Sequence, residues 1–157
     1  MPLQAVVLDE RTLQRGSEAH RAEWEASVRE LLSSAKCNID ETATLFIELT
    51  EEQFVLRFEA DGRHVTTVPV DHALLREQIT EYLDTVRQIT DADSLNQMEA
   101  LDMAKKVTHD RAGRVLKREL RGVGLDLETS RRLFTLLLSL KVDTTRLPGL
   151  RGHRRTR

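Results

Sequence analysis

Between Thr44 and Val70 the apolar residues keep a period of two, and this stretch constrains the fold more than any other part of the chain. Leu45, Ile47 and Leu49 alternate with Phe46 and Glu48, and Phe54, Leu56 and Phe58 alternate with Val55 and Arg57. Successive side chains of a strand point to opposite faces, so the pattern predicts strands with one face buried. Asp61-Gly62 separates the second run from a third, Arg63 to Val70, and supplies the left-handed backbone that a tight hairpin demands. Leu3 to Leu8, β-branched and closed by Asp9 and Glu10, predicts one more strand. A meander of three or four antiparallel strands with one apolar face must be covered, and helices are the available cover.

The rest of the chain supplies them. Gly16 and Ser17 open a helix with Glu18 in its first turn, and Trp24, Val28, Leu31 and Leu32 recur at helical spacing up to about Ala35. Asp71 is placed to cap a second helix, whose apolar residues run from Leu74 and Leu75 to Val86 and Ile89. A polar break from Thr90 to Ser94 follows, and Ser94 with Gln97 has the form of a capping box. The helix it starts carries Thr108, Asp110 and Gly113, which predict a kink or restart near His109. Gly122 and Gly124 end it, and Asp126 caps a last helix from Leu127 to about Leu140. That helix is nearly apolar all round in its second half, the mark of a central element or a subunit contact. The predicted class is α+β: a three- to four-stranded antiparallel meander packed by an N-terminal helix and a C-terminal helical group. Residues 1–145 are expected to form one domain and 146–157 a flexible arginine-rich tail.

The chain has 157 residues, of which 39% are hydrophobic and 32% charged, as expected of a globular rather than a disordered protein. The net charge is -2, but residues 146–157 hold five arginines and no acid, which leaves -7 on the remainder. Trp24 and Tyr82 are single residues of their kind, too few to stack the bases of a single-stranded nucleic acid. Cys37 is the only cysteine, which excludes an internal disulfide and suits a reducing cytoplasm. No run approaches the length of a membrane span, so neither a membrane partner nor a secretory route is expected.

Candidate chemistry gathers in residues 97–132. Glu99, Asp102, Lys106 and His109 follow one another in steps of three and four along one helix face, and Asp102 with Lys106 has the favourable order for an ion pair. As an acid–base site, this set needs closing by a side chain from elsewhere, such as His20 or Arg131. As a structural feature, it is a solvated or interhelical network. Arg111, Arg114, Arg118 and Arg121 form a cationic stripe to which Lys117, Arg131 and Arg132 can add. Arginine forks suit phosphate, but the acidic remainder and Glu119 within the area argue against a dedicated nucleic-acid binder. There is no His-x-x-x-His pair, glycine-rich phosphate loop or serine nucleophile turn, and no cofactor or metal is expected.

Two blocks resemble a known family. Gln97, Glu99, Ala100, Asp102 and Met103, then Lys105, Lys106 and His109, and later Arg131-Arg132-Leu133-Phe134-Thr135-Leu136, stand in the order found in a family of small uncharacterised proteins, mainly from alphaproteobacteria. A weaker likeness at Leu8-Asp9-Glu10, His20 and the hairpin extends it over most of residues 3–140. The resemblance brings no activity, ligand or catalytic residue with it.

These features point first to a non-catalytic cytoplasmic interaction or regulatory protein that binds another protein, or a second copy of itself, through Glu99, Asp102, Lys106, His109, Arg114, Arg118, Arg131 and Arg132. The alternatives are a small enzyme built on Glu99, Asp102 and His109, and a nucleic-acid binder using the arginine stripe and tail.

Overall fold

The computed structural model describes residues 3–39, 41–90 and 94–142. The expected tail, 146–157, and most of the polar break before Ser94 lie outside them. The element order is β1 (Leu3–Leu8), α1 (Glu10–Gln14), α2 (Glu18–Ser34), β2 (Ala43–Leu49), β3 (Gln53–Ala60), β4 (Arg63–Asp71), α3 (His72–Thr90), α4 (Leu95–Glu119) and α5 (Leu127–Lys141). The class is α+β, with four strands in the order β1-β2-β3-β4.

β2, β3 and β4 form the antiparallel meander that the alternation predicts. Asp61 (φ 52°) and Gly62 (φ 73°) both adopt the left-handed region at the hairpin between β3 and β4, where Ala60 pairs with Arg63. β1 departs from the expected meander by running parallel to β2, with Val6 opposite Leu45 and Leu8 opposite Ile47. The reason lies in the connection: parallel neighbours need a long crossover, and here α1 and α2 carry the chain back before β2 begins. The sheet is therefore mixed.

The inner face presents Ala43, Leu45 and Ile47 from β2, Phe54, Leu56 and Phe58 from β3, and Val70 from β4, all buried. These join a continuous apolar cluster with Trp24 and Leu31 of α2, Leu75, Tyr82 and Val86 of α3, Leu116 of α4, and Leu133, Phe134 and Leu136–Leu138 of α5. α5 contacts both α2 and α4, and α3 packs on α4. Nine consecutive-turn residues of α5, Thr129 to Leu140 apart from three, are buried, which is why it is apolar almost all round.

The helix starts follow the sequence except at α1, a short unexpected helix capped by Asp9, and at α3. Ser17 accepts from His20 N, Ser94 from Gln97 N, and Asp126 from Thr129 N at 2.8 Å. Asp71 ends β4, and its carboxylate accepts from Gln53 Nε2 at 2.9 Å. The predicted break near His109 is absent, because α4 runs unbroken from Leu95 to Glu119. Gly113 has another use. A Cβ there would meet Arg131 Cγ at 2.8 Å and Arg131 N at 3.3 Å, so the missing side chain lets α5 approach α4 closely.

The bend between α4 and α5 is held from outside. Gly124 has φ 73° and packs against the Asn38 side chain, while Asn38 N donates to Val123 O at 2.7 Å. We expect Gly124→Ala to cost about 2 kcal/mol, from left-handed strain together with the Asn38 clash. Gly122→Ala, with nothing within 4 Å of the added Cβ, should change stability by no more than about 0.5 kcal/mol. Removing the α5 cap with Asp126→Ala should cost about 1 kcal/mol. Urea unfolding of the three variants measures all of this, and equal losses at Gly122 and Gly124 contradict the assignment.

Candidate functional site

The ionic residues singled out between Gln97 and Arg132 lie on α4 and α5, with Arg121 in the turn between them, and the fold distributes them rather than collecting them. Glu99 is exposed, in a first stretch of α4 that is exposed on every side from Ser94 to Ala100. Asp102 pairs with Lys105 at 4.0 Å instead of with Lys106, and Lys105 lies 6.0 Å from the Tyr82 ring centre. Lys106 points to solvent.

His109 turns the other way. Its ring is wedged edge-on between Tyr82 of α3 at 5.1 Å and Phe134 of α5 at 5.3 Å. Nδ1 donates to Lys105 O at 3.1 Å, and Nε2 lies 3.2 Å from Thr135 Oγ1. Because the Lys105 carbonyl only accepts, the neutral ring carries its proton on Nδ1 and takes the Thr135 hydroxyl proton at Nε2. The same hydroxyl is 3.3 Å from Arg131 O, so it serves two acceptors with one proton. Burial depresses the His109 pKa. The Lys105 carbonyl opposes that, the Arg131 and Lys105 charges reinforce it, and Asp110 opposes it.

Both arginines of α5 are engaged within the chain. Arg131 Nε stands 3.0 Å from Asp110 Oδ1, in ion-pair range but not aligned as a hydrogen bond, and Nη1 donates to Glu128 Oε2 at 3.3 Å. Arg132 Nη1 donates to Glu30 O at 3.2 Å, to Ser33 Oγ at 3.0 Å and to Ser34 Oγ, while its Nε pairs with Glu128 at 3.2 Å. It thereby joins α5 to the last turn of α2, where Glu30 O also accepts from Ser33 Oγ at 2.7 Å. His20, considered as a closing group for an acid–base site, instead donates through Nε2 to Ser139 O, which also accepts from Trp24 Nε1 at 3.0 Å. Of the cationic stripe, Arg111 is held by both Glu81 oxygens at 3.2 Å, whereas Arg114, Arg118 and Arg121 are exposed.

His109 is thus joined to α5 through Thr135 and Phe134 and separated from Glu99, Asp102 and Lys106. Among the described residues no cluster of three or more His, Cys, Asp or Glu side chains could hold a metal ion. No helix among them is long and apolar enough to cross a membrane. Sequence reasoning missed two features. One is a set of exposed apolar residues on α4: Leu95, Met98, Met103 and Val107 are 39–70% exposed, Met103 and Val107 one turn apart on the same face. The other is a groove of about 600 Å³ between β1 and α2, lined by Val6, Val7, Leu8, Leu13, Trp24 and Val28 with Arg21, Glu25 and Arg29. The i, i+4 spacing of Met103 and Val107 was visible in the sequence, but their exposure depended on how far α4 outruns its neighbours.

A lowered histidine pKa has a definite sign. The unfolded chain protonates His109 near pH 6.5 while the folded chain resists, so its contribution is complete above that pH and is lost as the pH falls through the folded pKa. Urea unfolding between pH 7.5 and pH 5 should therefore show wild type losing more stability than His109→Gln, with the gap opening at about pH 6.5 and below. Identical pH slopes would show that His109 is not the group responsible.

Comparison with known proteins bears on the whole chain. A protein from Phenylobacterium zucineum is 31% identical over 149 residues, covering 88% of this chain and 91% of that protein. One from Rhodopseudomonas palustris is 32% identical over 143 residues, covering 85% and 87%. One from Hyphomonas neptunium is 27% identical over 157 residues, covering 94% and 96%. All three are named only as UPF0262 proteins. No solved structure matches this chain. The family profile described as "Uncharacterised protein family (UPF0262)" matches residues 2–143, and the chain belongs to that family.

Proposed function

We propose that this protein is a non-catalytic interaction or regulatory module of the cytoplasm that binds another protein through the outward face of α4. The observation that carries this reading is the exposed apolar pair on that helix, Met103 at 59% and Val107 at 45%, one turn apart. Large apolar side chains left in solvent on one element are a cost that an interface removes. Val107 follows Met103 by four residues and Arg114 follows Val107 by seven, so apolar and cationic groups share one face. A partner helix or groove with an apolar centre and acidic margin is complementary to it.

Arg131 and Arg132 leave the proposed surface, since their guanidinium groups are engaged by Asp110, Glu128 and the end of α2. Lys106, Arg114 and Arg118 remain on it, with Glu99 and Asp102 at its margin. His109 supports the contact from behind by fixing α4 on α3 and α5. Cytoplasmic residence rests on the lone cysteine, Cys37, which is buried.

The test is binding to a purified partner recovered by crosslinking in a native cell. Met103→Glu with Val107→Glu should weaken that binding at least about tenfold, the scale of a lost interface anchor. Both positions are exposed, so thermal stability should stay within about 0.5 kcal/mol of wild type. Unchanged affinity, or binding that tracks salt and nucleic acid instead of these two residues, overturns the proposal.

A further inference from the structure

The two edges of the sheet are unlike. β4 carries Arg63, His64, Pro69 and Asp71, charged and proline residues of the kind that discourage pairing with another strand. β1 reads Leu3-Gln4-Ala5-Val6-Val7-Leu8, with neither charge nor proline. Its ladder runs to β2 alone, and among the described residues no backbone hydrogen bond joins it to any other element. Half of its amide and carbonyl groups therefore face outward without a protein partner. An apolar edge left open in this way is a template for a further strand.

The groove between β1 and α2 lies along this edge. Its floor is Val6, Val7 and Leu8, and its wall is Trp24 and Val28. Glu25 and Arg29 stand at the rim, one helical turn apart, both exposed and neither paired among the described residues. Their order decides which occupant fits. An acidic peptide satisfies Arg29 and Arg21, whose Nε is already held by Leu13 O, but is repelled by Glu25 between them; a basic one does the reverse. An antiparallel copy of α2 places its own Arg29 against Glu25 and its own Glu25 against Arg29, so two residues make two ion pairs across a two-fold axis.

We propose that β1 pairs antiparallel with β1 of a second copy of this chain, extending two four-stranded sheets into one of eight strands. α2 of each copy then runs antiparallel to its mate, and the two grooves, each floored by its own Val6 and Leu8, close against one another. The contact is isologous, since the same strand and helix serve on both sides. It removes the open edge and fills the apolar groove in one step, and it is separate from the α4 surface.

Sedimentation of the full chain over a wide concentration range tests it. Wild type should dimerise. Val6→Lys, which puts a charge into the groove, should give a monomer. Because Val6 also touches the core and its variant could lose folding, the rim offers an independent test on exposed residues. Glu25→Arg alone and Arg29→Glu alone should each weaken the dimer by roughly tenfold or more, since each creates two like-charge contacts. Glu25→Arg combined with Arg29→Glu exchanges the charges and should restore wild-type affinity within about threefold. A wild type that stays monomeric at every concentration overturns the proposal. So does a dimer indifferent to both single reversals, or a double variant no better than the singles.

Discussion

Everything else in the molecule is arranged around the burial of α5. Leu133, Phe134, Leu136, Leu137, Leu138 and Leu140 are all 4% exposed or less, and they lie around the helix rather than along one stripe. A helix of that kind is stable only when surrounded, because each of its large side chains contributes about 1.5 to 3 kcal/mol when fully removed from water. α2 and α4 contact it directly, and the apolar cluster that contains it continues to the inner face of the sheet. The sheet and the flanking helices thus share one core.

Polar groups then fix where that helix sits. Its first turn is capped by Asp126, whose carboxyl is held below its ordinary pKa by the Thr129 side chain first, then by the Thr129 amide, Lys36 and Lys117. Arg132 ties its middle to the end of α2, and His20 and Trp24 both donate to Ser139 O near its end. Thr135 meets His109 of α4, and Gly113 allows the two helices to close. Of the side chains that in the sequence suggested an acid–base set or a phosphate site, His20, His109, Arg131 and Arg132 are spent on holding α5, while Glu99, Lys106, Arg114, Arg118 and Arg121 stay in solvent. That leaves α4 as the element that faces outward with both apolar and cationic groups.

Much of the fold was legible because local chemistry and tertiary need agree. The alternation at Leu45–Leu49 and Phe54–Phe58, the Asp61-Gly62 turn, and the caps at Ser17, Ser94 and Asp126 all carry their physical cause within a few residues. The parallel direction of β1 was not legible, because it follows from where α2 lies and not from anything in Leu3–Leu8. Gly113 misled for a similar reason: as a local signal it weakens a helix, but its role is a contact with Arg131, eighteen positions on. Of the candidate site, the shared helix of Glu99, Asp102, Lys106 and His109 was readable. Spacing could not tell that His109 turns inward between Tyr82 and Phe134 while the others stay wet.

The parallel pairing of β1 with β2 also orders events in time. β2, β3 and β4 meet across short turns, so their ladders close after ordering only a few intervening residues. β1 must wait for the whole connection through α1 and α2 to settle, and loop-closure entropy makes such a distant pairing slow. During folding we therefore expect β2 to be the outermost strand for a while, its bare margin the site most open to mispairing until the N-terminus arrives.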